Sequence, residues 1–189
     1  VIRLANSAIP IQGKLDDMVS FAESVCGVTY APQQREAFSL LKRGGIGVLT
    51  GGPGTGKTTV IKGLLAAYSR QCPDKKIKLC APTGRASQRM KEATEREATT
   101  IHRLIDYKPV ENERDSSTTA DSIDEFVCKG ELDPIDADFI FIDEGSMVTV
   151  ELASLLLSAT KSGTAVLIAG DIDQLASVGA GNVLHDLIY

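Results

Sequence analysis

Eight consecutive residues, Gly51-Gly52-Pro53-Gly54-Thr55-Gly56-Lys57-Thr58, are of the types that hold phosphate. They fit GxxxxGK followed by Ser or Thr, between a predicted strand and a predicted helix, which is the setting this pattern requires. Glycines let successive backbone N–H groups curl around a phosphate and approach it closely. The start of the following helix adds partial positive charge. Lys57 can reach the β- and γ-phosphates of a nucleoside triphosphate, and the Thr58 hydroxyl can ligate Mg²⁺. The nucleotide-contacting candidates are Gly52, Pro53, Gly54, Thr55, Gly56, Lys57, Thr58 and Thr59.

Two further groups complete a hydrolytic chemistry. Asp143-Glu144 directly follows the apolar run Phe139–Ile142. A carboxylate at the C-terminal end of a parallel strand points into the crevice where ligands bind. Asp143 is the candidate Mg²⁺ ligand and Glu144 the general base that polarises the attacking water. Gly170-Asp171-Ile172-Asp173-Gln174 follows another apolar run, and Gln174 can reach the γ-phosphate or the water. Lys57, Glu144 and Gln174 are thus the catalytic candidates.

These residues need a frame. Ile46–Thr50, Ile77–Ala81, Phe139–Ile142 and Ala165–Ala169 are short apolar runs, and the stretches between them have helical character to about Arg70, to about Glu97 and through Leu152–Ala159. Strands that are apolar throughout, rather than alternating, suit a parallel sheet covered by helices on both faces. The expected fold is a three-layer α/β domain with a mainly parallel sheet. Before it, Leu15, Met18, Val19, Ala22 and Val25 predict a helix to Cys26, stopped by Gly27. Pro32 opens a further predicted helix through Gln34, Ala37, Phe38 and Leu41, ended by Gly44-Gly45. The division is a helical lead-in over 1–28 and an ATPase domain over 29–189.

Composition narrows the class. The 43% hydrophobic and 24% charged content is ordinary for a globular chain and excludes wholly disordered or collagen-like ones. The apolar run Ala165–Ala169 is far short of the ~20 residues of a membrane span. No secretory signal opens the sequence. Cys26, Cys72, Cys80 and Cys128 form no CxxC pair, so they read as reduced, metal-free thiols of a cytoplasmic protein. The net charge is −5, but the 106–136 segment holds ten acids against three bases, or −7, and the remainder is +2. The acidity belongs to one insert.

Gly51–Thr58, Ala81-Pro82-Thr83-Gly84-Arg85-Ala86, Thr100-Ile101-His102-Arg103-Leu104, Asp143-Glu144-Gly145-Ser146-Met147 and Gly170–Leu175 follow in order. The set resembles the first RecA-like motor domain of a superfamily 1 DNA helicase, most closely the RecD-like group (exodeoxyribonuclease V alpha subunit), with similarity also to conjugative relaxase helicases. The tail from Ser177 to Leu184 is similar to that group's continuation of its last motif. The resemblance runs from about Tyr30 to Tyr189. It implies a P-loop NTPase that uses ATP and Mg²⁺ to move on single-stranded DNA, with 5′→3′ polarity. It implies that Gln34 reads adenine and that Thr83, Gly84, Arg85 and His102 contact the strand. Capping of a helix is the other use of Thr83, and a structural role the other use of His102. Arg89, Lys91 and Arg96 read instead as a solvated helix face beside Glu92, Glu95 and Glu97.

The departures from the family carry expectations of their own. Gly145 stands where the family usually has Ala, which is expected to loosen the turn after Glu144, and Ala176 where it usually has Pro. The acidic insert is expected to face away from DNA. Val1 in place of Met, and the lack of an arginine-bearing second motor segment after Tyr189, lead us to expect a piece of a longer helicase. Such a piece should bind Mg-ATP yet hydrolyse it poorly. The resemblance also implies a second motor domain in the same parent chain and further recombination or conjugation subunits as partners, with no membrane. A P-loop ATPase that acts on a protein rather than on DNA is the alternative.

Overall fold

Leu4 is the buried residue of α1 (Ile2–Asn6), and Met18, Val19 and Ala22 form the buried stripe of α2 (Leu15–Cys26). The computed structural model of the chain describes residues 1–7, 9–109, 126–174 and 181–188. α2 has the bounds its apolar spacing predicted, and Gly27 ends it in the left-handed region at φ 66°. The helix predicted from Pro32 to Leu41 is divided into α3 (Pro32–Glu36) and α4 (Ser39–Arg43). Around Ala37 and Phe38 the N–H groups of Phe38, Leu40 and Leu41 bond to carbonyls three residues back. That tighter winding keeps Ala37, Phe38 and Leu41 all buried, which an ideal 3.6-residue repeat does not reveal.

The sheet unit follows as β1 (Ile46–Thr50), α5 (Lys57–Gln71), β2 (Ile77–Ala81), α6 (Gly84–Thr94), β3 (Ala98–Thr100) and α7 (Ile101–Leu104). A small antiparallel pair, β4 (Lys108–Pro109) with β5 (Phe126–Val127), stands apart from it. Then come β6 (Phe139–Ile142), a 3₁₀ turn over Gly145–Met147, α8 (Val150–Ala159), β7 (Ala165–Gly170) and α9 (Val183–Asp186). α6 stops at Thr94, short of the predicted Glu97, because Glu95 turns left-handed at φ 56°.

Five strands pair in the order β1-β7-β6-β2-β3, and every pairing is parallel. Side chains alternate across the sheet, so one strand serves two cores. Phe139 and Phe141 of β6 and Leu167 and Ala169 of β7 pack with α2, α5 and α6. Ile140, Ile142, Val166 and Ile168 pack on the other face with Ile101, Leu156 and Leu184. This makes three layers, as the apolar strands implied. β6 is buried along its length, whereas β1, at the sheet edge, is only half-buried. Residues 1–28 join both cores, Leu4 on one face and the α2 stripe on the other.

Because the strands run parallel, Thr50, Ala81, Ile142 and Gly170 end at the same edge, and the loops after them carry the candidate chemistry. Most of the acidic segment (110–125) and part of the last motif (175–180) lie outside the described residues. Of the acids that are described, Asp106 and Asp133 flank Lys129, and Asp136 pairs with Lys76 and Lys161.

Candidate nucleotide and DNA site

The loop from β1 to α5 is built for an anion. Gly54 and Gly56 take φ of 75° and 82°, a backbone that L side chains rarely adopt. The Thr55 hydroxyl donates to the Gly52 carbonyl at 2.9 Å and closes the loop. α5 begins at Lys57 with Gly56 as N-cap and no side chain capping it, so its first N–H groups are left for a ligand. A Cβ at Gly52 or Gly54 would meet nothing within 4 Å, so the loop stands open. Lys57 Nζ donates to the carbonyls of Gly51 and Gly52 and lies along this loop. Open backbone donors, a helix start and one ammonium together fit a polyphosphate.

Gln34 is brought to the same loop. Its Oε1 accepts from the Ala31 N–H at 3.0 Å, and its Nε2 donates to the Thr55 carbonyl at 2.9 Å. Glu23 of α2 fixes the approach, accepting from the Tyr30 N–H at 2.9 Å and from Arg35 at 3.2 Å.

The Asp143 N–H bonds to the Cys80 carbonyl at 3.0 Å, one step beyond β6. Its Oδ1 accepts from the Glu144 N–H at 2.9 Å. Glu144 is left-handed, at φ 54° and ψ 42°, a conformation that costs a non-glycine residue about 1–3 kcal/mol. Met147 N–H to Glu144 carbonyl and Val148 N–H to Gly145 carbonyl hold it there. Burial pushes the Asp143 carboxyl up, with the Glu144 N–H and Lys57 opposing. Burial also raises Glu144, Asp143 and Asp171 adding to it, Lys57 and Arg89 opposing. Arg89 is exposed, as expected of a solvated helix face. Among the described residues no three His, Cys, Asp or Glu side chains gather as a metal cage. A site for Mg²⁺ with nucleotide needs none, since one carboxylate and one hydroxyl beside phosphates suffice; Asp143 and Thr58 are of those types.

Gly145 does not loosen the turn. A Cβ there would lie 2.5 Å from Cγ2 of Ile168 and 3.1 Å from the Ala169 carbonyl oxygen, so the turn seats directly on β7. The seating brings Ser146 to Gln174, with Oγ donating to Oε1 at 3.2 Å. Ser146 and the buried Asp171 had no role in the sequence reading. Their only signal is position, one inside each motif.

At the next loop, Thr83 caps α6, its hydroxyl oxygen accepting from the Ala86 N–H at 3.2 Å. The capping use of Thr83 is therefore real. Gly84 and Arg85 are exposed at the start of that helix. His102 is exposed and meets Tyr107 edge-on, ring centroids 5.3 Å apart.

Residues 34–180 match the AAA domain family. The chain belongs to that family. The chain is 37% identical over 177 residues to the RecBCD enzyme subunit RecD of Mycolicibacterium smegmatis, covering 82% of this chain and 30% of that protein. It is 40% identical over 134 residues to the ATP-dependent RecD2 DNA helicase of Deinococcus radiodurans, covering 71% and 16%. The chain spans less than a third of the length of either relative. In fold it is similar to a Pif1 helicase from Bacteroides sp. solved with ADP-AlF4, at TM-score 0.51 and 20% identity over 84% of this chain and 35% of that one. Pif1 helicases solved at forked double-stranded DNA give 0.54 and 19% over 85% and 38%. The RecD-like resemblance of the motifs is thus matched by similarity along most of this AAA domain, and the fold is the three-layer P-loop α/β fold.

Proposed function

We propose that this AAA domain is the ATP-binding motor domain of a DNA helicase, coupling Mg-ATP hydrolysis to 5′→3′ movement on single-stranded DNA. The observation that carries the reading is the shared sheet edge. The phosphate loop, Asp143-Glu144 and Gln174 follow three strands of one parallel sheet, and the α6 start with Thr83 and Arg85 follows a fourth.

In this mechanism the α5 N–H groups and Lys57 hold the β- and γ-phosphates, and Gln34 holds the adenine. Thr58 and Asp143 would hold Mg²⁺, which neutralises phosphate charge when bound. Glu144 takes a proton from the attacking water, and its burial raises the proton affinity of the carboxyl. Gln174 contacts the γ-phosphate and distinguishes ATP from ADP. Thr83, Gly84, Arg85 and His102 contact the strand. A second motor domain in the same parent chain supplies an arginine across the cleft, an addition worth ~10³–10⁵ in rate in related phosphoryl transfers. This domain alone therefore binds Mg-ATP and turns it over slowly. Further recombination or conjugation subunits and a cytoplasmic setting complete the proposal. Among the described residues, no helix is long and apolar enough to cross a membrane.

The test is titration of a fluorescent Mg-ATP analogue onto the chain, with and without a single-stranded oligonucleotide. Lys57→Ala should weaken binding or cut turnover by roughly 10²–10³. Glu144→Gln in the full-length parent should keep binding and stop hydrolysis, and retained turnover removes Glu144 as base. Nucleotide binding with no DNA effect in the full-length protein would favour a protein-directed ATPase instead.

A further inference from the structure

Two of the site's loops are locked together by contacts that holding a nucleotide does not require. Ser146, 6% exposed, donates its hydroxyl to Gln174 Oε1 at 3.2 Å. The backbones beneath are pressed close: a Cβ at Gly170 would lie 3.0 Å from the nitrogen of Ser146 and 3.2 Å from that of Gly145. Leu184 closes the same seam, since that Cβ would stand 2.7 Å from its Cδ2. Asp171 shapes the second loop from within. At 4% exposed, it accepts the Asp173 N–H on Oδ1 at 3.1 Å and the Gln174 N–H on its carbonyl at 3.4 Å.

We propose that Ser146 is a positioning residue: it holds the Gln174 side-chain oxygen inward, so that the Nε2 amino group faces the γ-phosphate. The proposal rests on Gln174 being the γ-phosphate contact. A side-chain amide presents an acceptor at one corner and two donor hydrogens at the other. Phosphate oxygens accept and do not donate, so only the amino end is productive. By donating to the oxygen, the Ser146 hydroxyl leaves both amino hydrogens free for the phosphate. Ser146 also lies two residues after Glu144 on a 3₁₀ turn with no slack against β7. Order imposed on Gln174 by a third phosphate therefore reaches the turn that carries the base.

The test measures dissociation constants of Mg-ADP and Mg-ATPγS on the chain, by competition with a fluorescent nucleotide. The variants are Ser146→Ala, Gln174→Ala and the double. The wild type should prefer ATPγS. Ser146→Ala should reduce that preference about three- to tenfold, the scale of one hydrogen bond, with ADP affinity unmoved. The double variant should be no worse than Gln174→Ala, since both remove one interaction. A purely structural Ser146 would weaken both nucleotides alike. An unchanged preference in Ser146→Ala, additive losses in the double, or a wild type without preference each overturns the proposal. Failure of the underlying nucleotide reading looks different: the wild type then binds neither nucleotide, and the proposal falls with it.

Discussion

The Tyr30 hydroxyl rests so close over Gly63 that a Cβ on that glycine would overlap it, and it donates to the Thr59 carbonyl at 3.0 Å. This is how α2 and the segment after it reach the helix of the phosphate loop. Ala22 Cβ also lies 3.1 Å from that Cβ position. Gly63→Ala improves helix propensity by ~1 kcal/mol but overpacks a filled seam, which typically costs about 1–3 kcal/mol. The net should be a loss of stability in urea denaturation. Tyr30→Phe should itself cost about 1 kcal/mol. Placed in the Gly63→Ala background, it should restore part of the loss, because the overlapping atom is gone. Strictly additive losses would show that the clash lies elsewhere.

Gly145→Ala tests the seating of the catalytic turn. The family pattern that the sequence resembles usually has Ala here, yet the Ile168 and Ala169 contacts leave no space for one. The variant should lose about 1–3 kcal/mol in the same denaturation assay. It should also weaken discrimination between ATPγS and ADP, because Ser146 is carried away from Gln174. A variant as stable as the wild type would mean that Ile168 yields at no cost.

Much of this was legible in the sequence for a definite reason. β1, β2 and β6 keep their predicted bounds because apolar runs between turn residues leave few alternatives. The phosphate loop was legible because its glycines answer a backbone demand that Gly54 and Gly56 meet. β3 was not legible: Ala98-Thr99-Thr100 has no apolar pattern, and it is a strand because Leu79, Cys80 and Ala81 pair with it. The break at Ala37-Phe38 escaped because three-residue winding preserves the burial that periodicity counts. Ser146 and Gln174 are 28 residues apart, and only the parallel sheet brings them together.

Asp138 predicts a pH dependence of stability. It joins the start of β6 to the turn before β2, accepting the Lys76 N–H at 2.9 Å and Lys75 Nζ at 3.0 Å. The Lys76 N–H first, then Lys75 and Lys161, hold its carboxyl below the ordinary 3.8, with burial opposing. A depressed folded value means that the unfolded chain binds the proton more readily. The contribution is therefore complete above the unfolded value and lost as pH falls through the folded one. Asp138→Asn should be less stable than the wild type at pH 7. The gap should close below about pH 3.8, read from denaturation midpoints across pH. A gap that is constant with pH would show that the carboxylate charge contributes nothing.

Arg85 carries the strand-contact prediction. It is exposed at the start of α6. Thr83 already spends its hydroxyl oxygen on the Ala86 N–H, so its contact with a DNA phosphate must come through its hydroxyl proton. With ~3 phosphate contacts on a single strand, counterion release gives a log–log salt slope of about −2. Arg85→Ala should weaken oligonucleotide binding by a similar factor for every base sequence and make the slope shallower by about 0.7. Thr83→Val would remove both the contact and the cap, so Thr83→Ser, which keeps the capping oxygen and the hydroxyl proton, should bind like the wild type. Fluorescence anisotropy across a salt series reads all three. Binding that ignores salt, or an Arg85→Ala slope equal to that of the wild type, would remove the α6 start from the DNA contact.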